Sequence, residues 1–241
     1  MEWRGAGHLG SHYGMDADRQ LLAAVRDGLA ALADPVKAPQ MQAYMKSAMP
    51  YRGVPTPPRR TLMKQLLGAR PPADRATWEA TVRALWDDAD YREERYAAVD
   101  LCAHRSARAW QDAATVPLYE HLIVTGAWWD HVDAVAIHLV GPILRADPAG
   151  VEPTIRRWLT DSDRWLRRSA IILQIGAKRA TDTGLLVAAI EPNLDDPDFF
   201  IRKGIGWALR EHAKTDPDWV RSFVANHELS ALSRREATRH L

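Results

Sequence analysis

Apolar residues recur every three or four positions along most of the chain from Asp16 onward, and this spacing predicts helices rather than strands. QMQAYMKSAMP predicts a second helix that Pro50 ends, and a third is predicted to begin at Thr56 or Pro57. No alternating strand pattern of convincing length occurs, so the chain is predicted to be all-α. The apolar positions of the first helix are Leu21, Leu22, Val25, Leu29 and Leu32.

Clusters of proline, glycine and aspartate between the periodic stretches predict turns. They are GARPPAD, TVP, RADPAGVEP and EPNLDDPD, and YRGVPTPPRR is too rich in proline and glycine to be regular. Residues 1–15 are rich in glycine and histidine, so we expect a leader without regular structure, with Met15 as an alternative start. Residues 16–241 are then predicted to form a single domain.

A weak internal repeat orders the predicted helices. Three stretches begin with Asp-x-Asp and continue into a helix: DADYREERYAA, DSDRWLRRSAI and DPDFFIRKGIG. Each carries a basic residue seven positions beyond its first Asp, and these are Arg95, Arg168 and Lys203. The last two are 35 residues apart and the first two are 73 apart, close to two periods. A period of this size is typical of stacked helical hairpins such as HEAT repeats, in which equivalent positions line a concave surface.

The same period points to a tryptophan–aspartate pair. Counting 35 residues back from Arg168 reaches Asp133, so Asp133, Arg168 and Lys203 are predicted to be neighbours in a row. Residues 126–135 read GAWWDHVDAV, and a helix there places Trp129 and Asp133 on one face. Trp129 is then either exposed or part of the core. Asp133 is either a carboxylate held in a groove or the partner of Arg168 in a structural salt bridge.

Composition limits the classes of partner and cofactor. The net charge of +1 gives no global case for nucleic acid, so any such case must be local. One cysteine, Cys102, excludes a cysteine-cluster metal site, and it is expected to be buried and inert in a cytoplasmic protein. No apolar run approaches a membrane span, and neither a metal site nor a cofactor is predicted. Four of the ten tryptophans are predicted to be core: Trp78, Trp86, Trp158 and Trp219.

The strongest local basic patch lies between Arg156 and Arg179. It is opposed in sequence only by Asp161 and Asp163, and a phosphate backbone fits such a patch. The alternative is an ordinary solvated helix face. The basic members of the patch are Arg156, Arg157, Arg164, Arg167, Arg168, Lys178 and Arg179.

Five ordered stretches resemble the AlkD family of DNA glycosylases, which are HEAT-like repeat proteins. The resemblance runs from about Asp16 to Leu241 and implies an α-solenoid with a concave DNA-binding surface. It also implies a monomeric enzyme that excises cationic N3- or N7-alkylated purines from duplex DNA, and leaves open whether the role is general repair or self-protection. The stretches are AYMKSAMPYRGVPTPPRR, LIVTGAWWDHVDAV, DRWLRRSAIILQ, FFIRKGIGWALREHAKT and LSRREATRH.

The resemblance assigns roles residue by residue. Asp133 would stabilise the sugar cation, the rings of Trp129 and Trp207 would hold the deoxyribose, and Arg168 would hold a phosphate. Tyr44 would close the nucleotide from the N-terminal side. His212 stands where the family usually has tyrosine. The basic residues Lys203 and Arg167 are also predicted to contact DNA.

The resemblance further implies that the base stays out of a protein pocket. Because no lysine is obviously placed as an amine nucleophile, we expect hydrolysis without strand cleavage. The rival hypothesis is a non-catalytic α-solenoid that binds DNA or protein, since superhelical arrays often do so. The grouping of Trp129, Asp133, Arg168 and Trp207 on one face favours the enzyme, because a scaffold has no need for this set.

Overall fold

The computed structural model describes residues 16–241, so the predicted leader lies outside the described residues. Within that range the chain forms 14 α-helices and no strand, which confirms the all-α prediction. The chain divides into two compact units, which meet in sequence between Trp110 and Gln111. Unit 1 contains α1 (Arg19–Ala31), α2 (Lys37–Met45), α3 (Thr56–Ala69), α4 (Arg75–Asp87) and α5 (Arg92–Ala103).

Unit 2 contains the other nine described helices. They are α6 (Val116–Gly126), α7 (Trp129–Val135), α8 (Gly141–Ala146), α9 (Pro148–Trp158), α10 (Arg164–Ile172), α11 (Thr183–Ile190), α12 (Phe199–Ala213), α13 (Pro217–Asn226) and α14 (Ala231–Ala237). Helix α10 packs against α6, α7 and α9 on one side and α12 on the other, and α12 packs closely against α14. The core of unit 2 therefore runs through α10 and α12.

Helix α1 follows its apolar pattern except at its end. Asp18 caps it by accepting the N–H groups of Gln20 and Leu21, as an aspartate at this position does well. Leu22 is half-buried, whereas Leu32 is exposed because it follows the last helical residue. The fully buried positions are Leu21, Val25 and Leu29.

Two predicted boundaries differ from the structure, and one agrees. Helix α2 ends at Met45 rather than at Pro50, because Lys46 adopts a left-handed conformation (φ 50°) that closes the helix. The break predicted at RADPAGVEP is confined to Asp147, between α8 and α9, because α9 already begins at Pro148, where a proline is favourable in the first helical turn. Helix α3 begins at Thr56 as predicted.

Two of the three Asp-x-Asp stretches fold alike. In each, the first aspartate accepts the N–H of the second at 2.8 Å, and the second accepts N–H groups from the first turn of the helix. The pairs are Asp161 with Asp163 before α10, and Asp196 with Asp198 before α12. These turns give α10 and α12 the same entry geometry, so equivalent residues leave the two helices alike.

The third stretch is not a copy. Asp88 is the C-terminal cap of α4, and Tyr91 precedes α5 without a side-chain cap. Arg95 points back to α4, donating from Nε to the carbonyl of Trp86 at 3.2 Å. The repeat seen in the sequence is therefore geometric only in unit 2.

The predicted core tryptophans are mostly confirmed. Trp78, Trp86 and Trp158 are fully buried, and Cys102 is buried as expected. Trp219 is only half-buried, and its ring stacks on that of Phe223 at 5.4 Å. Its assignment to the core was therefore wrong.

Candidate active site

Helix α7 presents the first two site residues. Trp128 is the residue before the helix and Trp129 is its first residue, so Asp133 lies one turn further on the same face as Trp129. Both Trp129 and Asp133 are half-buried. Within residues 16–241, the side chain of Trp129 has no hydrogen bond and no ring contact. The tryptophan is thus neither core nor freely exposed, and its ring is available to a ligand.

A turn of π-helix directly follows α7. It spans Ala136–Val140 and leads into α8, whose second residue, Pro142, lacks the N–H that a regular helix would use. At Gly141 the chain approaches the carbonyl oxygen of Leu173 so closely that a Cβ would lie 2.1 Å from it. Such turns are frequent at functional sites, and this one interrupts the regular helical geometry just after the helix that carries Asp133.

Asp133 and Arg168 form a bidentate ion pair. Nε and Nη2 of Arg168 donate to Oδ1 and Oδ2 of Asp133, both at 2.8 Å. The Arg168 side chain is 4% exposed and that of Asp133 is 14% exposed. The structure thus contains the salt bridge that the sequence left as an alternative. The exposed edge of the carboxylate leaves the functional role open as well.

The position of Asp133 disfavours the ionised form of its carboxyl group. Burial raises the pKa of Asp133 above its ordinary value, and the charge of Asp130 acts in the same direction. The hydrogen bonds and charge of Arg168 oppose this rise. A carboxylate that is desolvated and paired in this way is a frequent mark of a functional site.

The guanidinium of Arg168 is fixed from α12 as well as from α7. Its Nη1 donates to the backbone carbonyl of Phe200 at 2.5 Å. Gly204 makes room for it, because a Cβ at Gly204 would lie 3.2 Å from Nη1. Three N–H groups of Arg168 are therefore used within the protein, and two of its five remain.

Helix α12 presents a second half-buried tryptophan. Trp207 lies one turn after Lys203 and three residues after Gly204, and so on the side of α12 that turns toward Arg168. Among the described residues the side chain of Trp207 has neither a hydrogen bond nor a ring contact. Trp129 and Trp207 thus provide unpartnered rings on the two helices that hold Arg168.

Sequence reasoning missed an aromatic cluster behind the ion pair. The rings of Trp128, Trp165 and Phe200 lie 5.0–6.2 Å apart, and Arg164 covers Trp165 at 5.0 Å. Phe199, beside them, is 58% exposed. The repeat carried the signal, because Trp165 and Phe200 both stand four residues beyond the first aspartate of their stretch. The cluster fixes the ends of α7, α10 and α12 near Asp133.

The basic patch is largely neutralised. The sequence suggested that only Asp161 and Asp163 oppose it, but carboxylates from α6, α7, α9 and the turn before α12 pair with most of its arginines. Arg167 donates to Asp196 at 2.8 Å and is half-buried, so its predicted contact with DNA would have to compete with this pair. The other pairs are Arg156 with Glu152, Arg157 with Glu120, Arg164 with Asp198 and Arg168 with Asp133.

The predicted row is present only in part. Asp133 and Arg168 are neighbours, whereas the ammonium of Lys203 pairs with Glu236 on α14 at 2.7 Å. Tyr44, in unit 1, is 77% exposed and has no contact partner in residues 16–241, so its role stays a prediction.

His212 replaces the expected tyrosine in a buried position. Its ring meets that of Trp219 at 5.1 Å, edge to face, and burial lowers its pKa. Between residues 16 and 241, no group of histidine, cysteine or acidic side chains is arranged to hold a metal ion. Nor is any helix in that part of the chain long and apolar enough to cross a bilayer.

Comparison with known proteins places this geometry in context. The family model "DNA alkylation repair enzyme" matches residues 25–241. A solved structure described as a predicted DNA alkylation repair enzyme from Enterococcus faecalis is 33% identical, with a TM-score of 0.73. The match covers 87% of this chain and 96% of that one. A search of curated proteins gave no match.

A second solved structure, a protein of Streptococcus mutans, shares the fold. It is 18% identical with a TM-score of 0.58, over 74% of this chain and 90% of that one. At that identity the similarity concerns the fold alone. The family model and the Enterococcus faecalis structure confirm the predicted α-solenoid class and the resemblance carried by the five sequence stretches.

Proposed function

The chain belongs to the family of DNA alkylation repair enzymes, and from that premise we propose that it is a DNA glycosylase for cationic alkylpurines. Its substrates would be purines alkylated at N3 or N7 in duplex DNA. The observation that carries the proposal is the half-buried carboxylate of Asp133, which is held by both oxygens on Arg168 and shares a helix face with the unpartnered ring of Trp129.

The chemistry needs help at the sugar rather than at the base. Alkylation at N3 or N7 gives the purine a positive charge, so it leaves with the bonding electrons of the C1′–N bond as a neutral molecule. No general acid is required for that step. Positive charge develops at C1′, and water then adds there and loses a proton. A fixed negative charge beside C1′ lowers the barrier, because it is already oriented before the reaction begins.

Asp133 fits this role through its electrostatics. Both carboxylate oxygens accept from Arg168, so the group cannot rotate, and its exposed edge can face the sugar and the attacking water. Arg168 acts first as a positioning residue. Its two remaining N–H groups are those that could reach a phosphate beside the lesion.

The two tryptophans would bind the lesion through their faces. An indole face attracts a cation by about 0.5–2 kcal/mol, and it packs against the C–H groups of a deoxyribose. Trp129 and Trp207 are half-buried and unpartnered in the described range, so no internal contact must be broken. Selectivity would then follow from the charge of the lesion and its weakened bond, without a pocket that encloses the base.

A lyase step is not part of the proposal. That step requires a neutral amine that attacks C1′. The lysine of the repeat, Lys203, pairs with Glu236 at 2.7 Å, so its amine group is already engaged within the protein. Asp133 would therefore act with water, and the product would be an intact strand with an abasic site.

The direct test is release of free base from methylated duplex DNA. We expect 7-methylguanine to be released, uracil to be ignored, and a bulky cationic N7 adduct to be released as well. Strand cleavage should appear only after alkali treatment. Binding of the duplex without release of any alkylated base would instead favour the non-catalytic DNA-binding solenoid. Release of the small lesion with complete resistance of the bulky one would indicate an enclosing pocket.

A further inference from the structure

Unit 1 contains an open groove that the candidate active site does not use. It has a volume of about 680 Å³ and lies between α3 and the end of α5, where the short 3-10 segment Arg105–Trp110 begins. Its polar and small lining residues are Thr61, Lys64, Gln65, Gly68, His104 and Arg105.

The groove is cationic and carries no lining carboxylate. Within residues 16–241 the side chains of Lys64 and Arg105 take part in no ion pair or hydrogen bond. Neighbouring arginines on α3 behave differently: Arg59 and Arg60 both pair with Asp100, at 2.7 and 3.8 Å. Two unpaired cations in one groove leave a positive charge that the protein itself does not balance.

His104 adds a neutral hydrogen-bond donor. Its Nδ1 accepts the backbone N–H of Ser106 at 3.3 Å, so the proton of the neutral ring is on Nε2. Burial lowers the pKa of His104, and the charge of Arg105 lowers it further. The ring is therefore uncharged near neutral pH, and its Nε2–H can donate to an anionic oxygen.

Gly68 keeps the wall of the groove low. A Cβ at this position would meet no atom within 4 Å, so no internal contact requires a glycine there. Glycine is unfavourable in a helix by about 1 kcal/mol relative to alanine. A glycine without an internal reason, in a groove lined by cations, lets an external backbone approach α3 closely.

We propose that this groove binds the phosphodiester backbone of duplex DNA, as a second contact besides that of unit 2. Lys64 and Arg105 would each neutralise a phosphate, with Gln65 and His104 donating hydrogen bonds to its oxygens. The proposal rests on the proposed function only in taking DNA as the ligand. It concerns affinity, since these residues would touch neither the lesion nor the sugar.

The test is the salt dependence of binding to an undamaged duplex, measured by fluorescence anisotropy. Removing one phosphate-binding cation should reduce the slope of log K against log salt by about 0.9. The double variant Lys64→Gln/Arg105→Gln should therefore lower the slope by about 1.8 and bind several-fold more weakly. Arg108→Gln is the matched control, because Arg108 is exposed on the same 3-10 segment but does not line the groove.

A second variant tests the groove without changing its charge. Gly68→Gln should block the approach of the backbone and weaken binding, while thermal stability stays equal or rises. An unchanged slope in the double variant, or a reduction in affinity no greater than that of Arg108→Gln, would overturn the proposal. Base release is measured separately at saturating enzyme. If the wild type binds DNA through the groove but releases no base, the proposed function fails and the groove assignment stands.

Discussion

Successive repeats of unit 2 treat the same position in opposite ways. Arg168 and Lys203 are equivalent in the repeat, and each pairs with a carboxylate, Asp133 or Glu236. Arg168 is 4% exposed, and burial raises the pKa of its partner Asp133. Lys203 is 40% exposed, and its hydrogen bond, with that of Arg210, lowers the pKa of Glu236.

The difference separates an ion pair that stabilises the fold, Lys203 with Glu236, from one that we assign to catalysis, Arg168 with Asp133. The ionised form of Glu236 is more stable in the folded protein than in water, because two cations bond to it. The ionised form of Asp133 is less stable in the folded protein than in water, although Arg168 binds both of its oxygens. Keeping a carboxylate whose ionised form is disfavoured by burial, on a surface with two unpartnered tryptophans, does not stabilise the fold. A reaction that develops positive charge gains from it.

The largest expected effect is on catalysis at the Asp133–Arg168 pair. Asp133→Asn should keep the fold and the affinity for DNA, and lower the single-turnover rate of base release on the order of 10²–10³, the usual loss for one preorganised electrostatic contact. Spontaneous depurination of 7-alkylguanine reduces the visible ratio, so a more stable lesion gives the clearer measurement.

Glu236→Gln is the matched control for that experiment. It also replaces a carboxylate that pairs with the cation of a repeat, but it should leave the rate of base release within about twofold of wild type. Near-normal release by Asp133→Asn, or an equal loss in both variants, would remove the distinction between the two pairs.

The second effect is on stability. Arg168→Met leaves Asp133 buried without its partner, and breaking a buried pair in this way typically costs about 3–5 kcal/mol. Lys203→Met removes a cation that is 40% exposed, and the buried carboxylate of Glu236 keeps its pair with Arg210, so a smaller loss of about 0–1 kcal/mol is expected. Denaturant unfolding of both variants measures the difference. Similar small losses would show that Asp133 is better solvated than its burial indicates.

The third effect is on pH dependence. Since burial raises the pKa of Asp133, the ionised form needed for catalysis is lost at a pH above the ordinary carboxyl value. The rate should therefore fall about tenfold per pH unit on an acid limb displaced upward, and Asp133→Asn should lack this limb. An acid limb at the ordinary carboxyl value would contradict the assignment.

Stability should respond to pH with the opposite sign at the two pairs. A raised pKa means that the contribution of Asp133 to stability is present below its unfolded pKa and is lost as the pH rises through its folded pKa. The lowered pKa of Glu236 means that its contribution is present at higher pH and is lost as the pH falls through its folded value. Only Glu236→Gln should therefore weaken the acid-induced loss of stability.

The sequence predicted the Asp133–Arg168 pair better than the charges of the basic patch around it. Helical periodicity indicated the all-α fold, and the 35-residue spacing alone placed Asp133 beside Arg168. The carboxylates that neutralise the basic patch escaped prediction, because Asp196 and Glu120 are close to it only after helices far apart in the sequence have packed. Local charge counting therefore overstated the patch.

Turns were less predictable than helices, since one residue type serves opposite purposes. Asp163 begins α10, whereas Asp88, in a stretch of the same pattern, ends α4. Pro50 was expected to end α2, but Lys46 ends it in a left-handed conformation, which a lysine in the sequence does not predict. The contacts that decide these boundaries lie outside the local pattern.

The smallest effect concerns the residue after each repeat cation, which is Ser169 in one repeat and Gly204 in the next. A Cβ at Gly204 would lie 3.2 Å from Nη1 of Arg168, and Nη1 is also fixed by the carbonyl of Phe200. The guanidinium cannot retreat without loosening its bonds to Asp133. Gly204→Ala should therefore lower the rate of base release several-fold.

Its effect on stability should be small, because the gain in helix propensity, about 1 kcal/mol, offsets the crowding. Ser169→Ala is the comparison in the preceding repeat. It removes a buried hydroxyl that has no partner in the described structure, so the fold should be equally or more stable and the rate unchanged. Measuring rate and thermal unfolding together separates the two variants. A Gly204→Ala protein with the wild-type rate would mean that the position of Arg168 is not what sets the reactivity of Asp133.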